Sequence, residues 1–87
     1  MTPHKLAQVE AAEAALRRLG LGDLRVRHHG EVARVEVPVD EVALLAAQPL
    51  RAQVLDAVRA AGFRYVAVDL AGIQSGSFTL AQLNARG

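Results

Sequence analysis

Leu24-Arg25-Val26-Arg27-His28-His29-Gly30-Glu31-Val32-Ala33-Arg34-Val35-Glu36-Val37 is the stretch on which the fold turns. Its residues alternate: Leu24, Val26 and His28 point one way and Arg25, Arg27 and His29 the other, the period of an extended strand. After Gly30-Glu31 the alternation resumes, with Ala33, Val35 and Val37 on one side and Val32, Arg34 and Glu36 on the other. Glycine at the first position of a two-residue loop suits a type II′ turn, which matches the twist of a hairpin. That turn sets His29 opposite Val32, Arg27 opposite Arg34, and Arg25 opposite Glu36. The apolar residues then share one sheet face, and the register is supported because any one-residue slip would turn the arginines inward. The other face carries Arg25, Arg27, Arg34, Glu36 and His29.

Outward from the hairpin the period changes. Upstream, Thr2-Pro3 combines a capping hydroxyl with a ring that is tolerated in the first helical turn. Leu6, Val9, Ala12, Leu16 and Leu19 follow at steps of three and four, which predicts an amphipathic helix over residues 3–19 stopped by Gly20. Glu13 and Arg17 are expected to pair across one turn on its opposite side. Downstream, Pro38 ends the second strand, and residues 39–47 read as a short helix opened by Asp40-Glu41. Pro49 restarts helix at its first position, with Leu50, Val54, Val58 and Ala61 as the buried stripe and Gly62 as the stop. Residues 63–70, β-branched and aromatic, are expected to form a central strand, beside either strand of the hairpin. Gly72, Ser75, Gly76 and Ser77 mark a loop, and residues 80–84 a last helical turn. The fold class is α/β in the α+β, two-layer sense. Its order is α-β-β-α-α-β, with a small three-stranded sheet, mixed or antiparallel, covered by helices on one face.

Composition limits what such a chain does. Its 87 residues make one small domain, residues 1–87, and ten Lys+Arg against nine Asp+Glu leave a net charge of +1. A broad nucleic-acid face would carry a larger positive excess, and 3% aromatic residues without Trp offer no base-stacking platform. The absence of cysteine excludes disulfides, thiolate metal sites and a cysteine nucleophile from this sequence. No apolar run approaches the ~20 residues that span a bilayer, and the first residues lack the apolar core of a signal peptide. A cytoplasmic location is the expectation, without nucleic-acid or membrane partners. A core this small supplies little net stability, so a second protomer would help.

Two constellations have chemistry in them. Arg25 and Arg27, about 7 Å apart on one strand face, present two planar donor forks of the kind that grip phosphate or carboxylate. Glu36 opposite Arg25 is placed to hold it, while Arg27 facing Arg34 is a like-charge pair unless solvent, Glu36 or a bound anion relieves it. The alternative is a solvated face with weak ion pairs. The run Gly72-Ile73-Gln74-Ser75-Gly76-Ser77 can turn consecutive N–H groups toward an anion, or be an ordinary turn. It is not a P-loop, having no Lys and no following helix. His28 and His29 face opposite ways and cannot share one metal, and nothing in the spacing marks a metal site, a resident cofactor or a catalytic residue.

Residues 24–30 and 33–37, then Gly62-Phe63-Arg64-Tyr65-Val66, Asp69-Leu70-Ala71-Gly72 and Ser75-Gly76-Ser77, together resemble the C-terminal part of LarE-type ATP-dependent sacrificial sulfur transferases. The helix before the hairpin fits as well. These enzymes belong to the PP-loop pyrophosphatase group. The resemblance covers residues 5 to 78, about the last third of a family member. It implies that residues matching Arg25, Arg27 and Glu36 line a substrate or phosphate pocket. There the family activates a nucleotide-derived pyridine carboxylate with ATP and transfers sulfur to it, in many cases from its own cysteine, while making a nickel-pincer nucleotide. The family loop reads Gly-aromatic-Arg-Ser-Gly. Here it is Gly72-Ile73-Gln74-Ser75-Gly76, so Gln74 donates a hydrogen bond but no charge. The PP-loop signature Ser-Gly-Gly-x-Asp-Ser is missing from these residues, as is any sulfur-donating cysteine.

The resulting expectation is a binding and assembly module, non-catalytic alone, that forms a homo-oligomer. It would bind an anionic small molecule through Arg25, Arg27, Arg34, Glu36, Gln74, Ser75 and Gly76. Two rivals stand beside it. One is a substrate-binding subunit of a split sulfur transferase acting with a separate PP-loop ATPase, and the other is a purely structural oligomerisation domain. Met1 followed by a good N-cap is expected to be an intended boundary, either of a natural stand-alone gene or of a designed excision.

Overall fold

A computed structural model describes residues 2–73. Helix α1 spans Pro3–Arg18, with Thr2 accepting the Lys5 N–H at 3.2 Å as its N-cap and Leu19 as its C-cap. Strands β1 (Arg25–His29) and β2 (Val32–Glu36) form the hairpin. A single 3₁₀ turn, Val39–Glu41, leads into the one-turn helix α2 (Val42–Leu45), and α3 covers Leu50–Ala60. Strand β3, Tyr65–Val68, closes the described part. Among the described residues the sheet has the order β1-β2-β3, antiparallel between β1 and β2 and parallel between β2 and β3. It is a mixed sheet in an α+β fold, as one of the sequence expectations had it.

The hairpin register is the one read from the sequence. Arg25 lies opposite Glu36, Arg27 opposite Arg34 and His29 opposite Val32. Gly30 takes φ +61°, and no non-glycine described residue has positive φ, so the strain of the turn falls on the one residue without a Cβ. The inward set Val26, Ala33 and Val35 packs with Val9, Ala12 and Leu16 of α1 and Val54 and Val58 of α3. Leu24, Val37, Leu45 and Phe63 close the ends of this core. Both long helices therefore cover the same face, and the arginine face of the sheet lies on the other side.

Three local readings are corrected. The strand expected to be central is an edge: β2 is the middle strand, and β3 alternates between exposed and half-buried residues. The hydrophobic run of residues 65–68 buries Val66 and Val68 only partly against α3, while Tyr65 and Ala67 stand on the uncovered face. Pro49, expected at the first helical position, is instead the N-cap of α3 after a cis Gln48–Pro49 bond. Glu13 does not sit opposite the buried stripe but turns toward β1, where its Oε2 accepts the Val26 N–H at 3.0 Å. The spacing 9, 12, 13, 16 is itself the helical repeat, so Glu13 shares the inward side with Val9 and Leu16. The expected turn at residues 80–84 and most of the loop at 71–79 lie outside the described residues.

Leu16 is fully buried between helix and sheet. Leu16→Ala is expected to lower the unfolding free energy by about 2–5 kcal/mol through lost transfer energy and a residual cavity. Gly30→Ala should cost about 1–2 kcal/mol from left-handed backbone strain alone. Urea denaturation measures both.

Candidate anion-binding site

The uncovered face of the hairpin is a cluster of charges, and its wiring differs from the simple cross-strand pattern. Glu36 is the one buried charged residue among those described, at 4% exposure. Its backbone partner is Arg25, yet its carboxylate engages the other two arginines. Arg34 donates from Nη2 to Glu36 Oε2 at 3.1 Å, and Arg27 Nε lies 3.5 Å from Oε1. The expectation that Glu36 holds Arg25 is therefore corrected. On a twisted strand pair the residue two positions along, and the diagonal one across, are within reach of long side chains. Glu36 also relieves the like-charge pair of Arg27 and Arg34, which the sequence reading had left open.

Arg34 continues the chain of charges. Its Nε lies 3.9 Å from Oδ2 of Asp69, just past the end of β3. That distance is an ionic contact and too long for a hydrogen bond. Both Arg34 Nε and Glu36 Oε1 are buried without a hydrogen-bond partner among the described residues. Asp69 itself is held firmly. Its Oδ1 accepts the Ala71 N–H at 2.9 Å, its backbone N–H donates to Val35 O at 3.0 Å, and its carbonyl accepts the Gly72 N–H at 3.1 Å. The Ile73 N–H then donates to Val37 O at 2.9 Å, which returns the chain to the end of β2. Gly72 makes this return possible. At φ +84°, a Cβ there would lie 3.0 Å from the Val39 amide nitrogen.

Arg25 stands apart. It makes no ion pair with any described residue and lines two grooves on either side of itself. One, of ≈ 510 Å³, runs along the β1 edge between α1 and the sheet and includes Glu10, Glu13, Arg27 and Arg34. The other, of ≈ 450 Å³, is bounded by Glu13, Arg17, Asp23 and Ile73. Arg25 is thus the cation of the cluster without an ion pair among the described residues, Arg27 is half-committed to Glu36, and Arg34 is held between two carboxylates. Gln74, Ser75 and Gly76 lie outside the described residues, although the chain leaves Ile73 at the rim of the second groove. Glu13 and Asp69 were missed as part of this neighbourhood. Helical spacing signalled the first, and the position just after a strand, ahead of Gly72, signalled the second.

The two histidines divide as their alternation requires. His28 turns toward the helices, with Nε2 3.0 Å from Gln8 Oε1 and its ring 5.1 Å from Phe63. His29 is exposed on the arginine side. No three His, Asp or Glu side chains gather in metal-ligating geometry among the described residues. None of the described helices is long and apolar enough to cross a membrane.

Comparison with known proteins places this geometry. The chain is 39% identical, over 95% of its length, to the pyridinium-3,5-bisthiocarboxylic acid mononucleotide synthase of Lactiplantibacillus plantarum, and it matches 31% of that protein, in its C-terminal part. It is also 37% identical, over 87% of its length, to the uncharacterized protein slr1717 of Synechocystis, matching 28% of it. The chain therefore spans about a third of the length of these curated relatives. No protein-family profile matches it. The hairpin, its arginine face and the helices behind it make up a module related to the C-terminal part of that synthase.

Removing Glu36 should leave Arg27 and Arg34 facing each other without their shared carboxylate. Because both arginines are more than a third exposed, solvent screens part of the loss. Glu36→Ala is expected to cost about 1–3 kcal/mol. Glu31→Ala breaks only the open pair with Arg64 at 3.7 Å and should change stability by less than about 0.5 kcal/mol. Equal effects in urea titrations would contradict this ranking.

Proposed function

We propose that this chain is a binding and assembly module that takes a phosphate- or carboxylate-bearing small molecule on its arginine-lined sheet face. The observation that carries the reading is the unequal wiring of three arginines on one face. Arg25 is exposed between two grooves, Arg27 is tied at long range, and Arg34 is held by Glu36 and Asp69. A solvated decorative face has no need of a buried carboxylate at its centre, since burying Glu36 costs desolvation that only fixed partners offset. Arg25 and Arg27 are the principal ligand-binding forks in this reading, with Arg34 beside them, and Glu36 holds Arg27 and Arg34 in place. Gln74, Ser75 and Gly76, outside the described residues, are the remaining ligand contacts of this reading.

The ligand class follows from the similarity to a synthase that makes a pyridinium mononucleotide: a pyridine carboxylate mononucleotide offers both a phosphate and a carboxylate to two guanidinium forks. On this account the module performs no chemistry alone and acts in the cytoplasm. Its self-association would use apolar surface that the core leaves outside, with Leu70 77%, Val39 65% and Leu44 59% exposed. The second reading is a substrate-binding subunit of a split enzyme related to the synthase. Residues equivalent to the remainder, a PP-loop ATPase, would then complete a composite site around the same arginines.

Calorimetric titration with nicotinic acid mononucleotide tests the site. The wild-type chain should bind it, and Arg25→Ala with Arg27→Ala should abolish binding while circular dichroism and the unfolding midpoint stay near wild type. Unchanged affinity in the double variant would remove the proposed site. Co-purification of a PP-loop partner would favour the composite enzyme, and a homo-oligomer seen by native mass spectrometry the assembly module.

A further inference from the structure

We propose that Asp69 is a specificity-determining residue of the arginine site, an internal anion that competes with the ligand for Arg34. This inference rests on the anion-binding reading above. Its ground is the division of labour within one carboxylate. Oδ1 accepts the Ala71 N–H, and the backbone on both sides is bonded to β2 and to Gly72, so the side chain is anchored independently of any arginine. Oδ2 is left to face Arg34 Nε across 3.9 Å. The Nε–H is buried and unpaired among the described residues, so the contact is electrostatic and a donor remains to be claimed.

The charge balance gives this contact a consequence. Arg25, Arg27 and Arg34 bring three positive charges to the face; Glu36 and Asp69 set two negative charges against them, and Glu10 and Glu13 add two more along the same groove. Each of these fixed negative charges costs a bound dianion about twice the Coulomb energy it costs a monoanion such as a carboxylate. Asp69 therefore lowers affinity for dianions more than for monoanions. Glu36 does not share this role, because its carboxylate is enclosed by both arginines and holds them in place.

The test uses the whole chain and two simple probes, inorganic phosphate and acetate, titrated at constant ionic strength while the arginine Nε–H resonances are followed by NMR. Asp69→Asn keeps a side-chain oxygen for the Ala71 N–H and removes the charge. Asp69→Ser is the second variant, since a hydroxyl also caps such turns. Thermal unfolding verifies that each is folded. Phosphate is expected to bind either variant about fivefold more tightly than wild type, the scale of one charge several ångströms away in a largely aqueous dielectric, with acetate changed about twofold or less. Binding of phosphate by the variants but not by wild type would also support the competing role, while denying the wild-type site. Wild-type binding with unchanged variant affinities, or an equal gain for both probes, would overturn the role of Asp69 and leave the anion site standing. No binding by any of the proteins would overturn both.

Discussion

The two-residue turn at Gly30 is the constraint on which the rest depends. It puts Arg25 across from Glu36 and Arg27 across from Arg34, and every other assignment of face follows from that registration. With it, Val26, Ala33 and Val35 meet the stripes of α1 and α3, and the arginines are gathered on the uncovered side. The same hairpin then offers β2 as the template for β3, whose arrival brings Asp69 to Arg34. The core and the charged face are thus two consequences of one backbone registration. A change that stabilised a shifted hairpin would lose both together.

On the charged face, the arginines divide into paired and unpaired among the described residues. Glu36 is buried and holds Arg27 and Arg34 from within, so the cost of desolvating one carboxylate secures the geometry of two guanidiniums. Arg25, with no ion pair among the described residues, lines the grooves beside it. Glu13, reaching from α1 to the Val26 N–H, covers part of the exposed edge of β1. A carboxylate there discourages pairing with a stray strand.

Much of this was legible in the sequence, and the parts that were not have physical reasons. The hairpin and its register could be read because alternation and a glycine turn are local signals. The course of α1 could be read because its stripe and caps are local too. The place of β3 could not, since Tyr65-Val66-Ala67-Val68 has the composition of a buried strand and only the crossover through α2 and α3 decides which strand it joins. The membership of the arginine cluster was visible from alternation alone. Its wiring was not, because rotamers and strand twist let Glu36 pass over its nominal partner Arg25 to reach Arg27 and Arg34. Asp69 was present in the sequence as part of a motif, and its contact with Arg34 emerged only when parallel pairing set the end of β3 beside the end of β2.

The central proposal is that the uncovered sheet face takes an anion. A ¹⁵N NMR titration of the intact chain with nicotinic acid mononucleotide tests it most directly. The account predicts that the largest shifts fall on the backbone of Arg25–His29 and on the side-chain resonances of Arg25, Arg27 and Arg34. Shifts confined to the apolar groove between α3 and β3, lined by Leu45, Val54 and Val68, or no shifts at millimolar ligand, would contradict it.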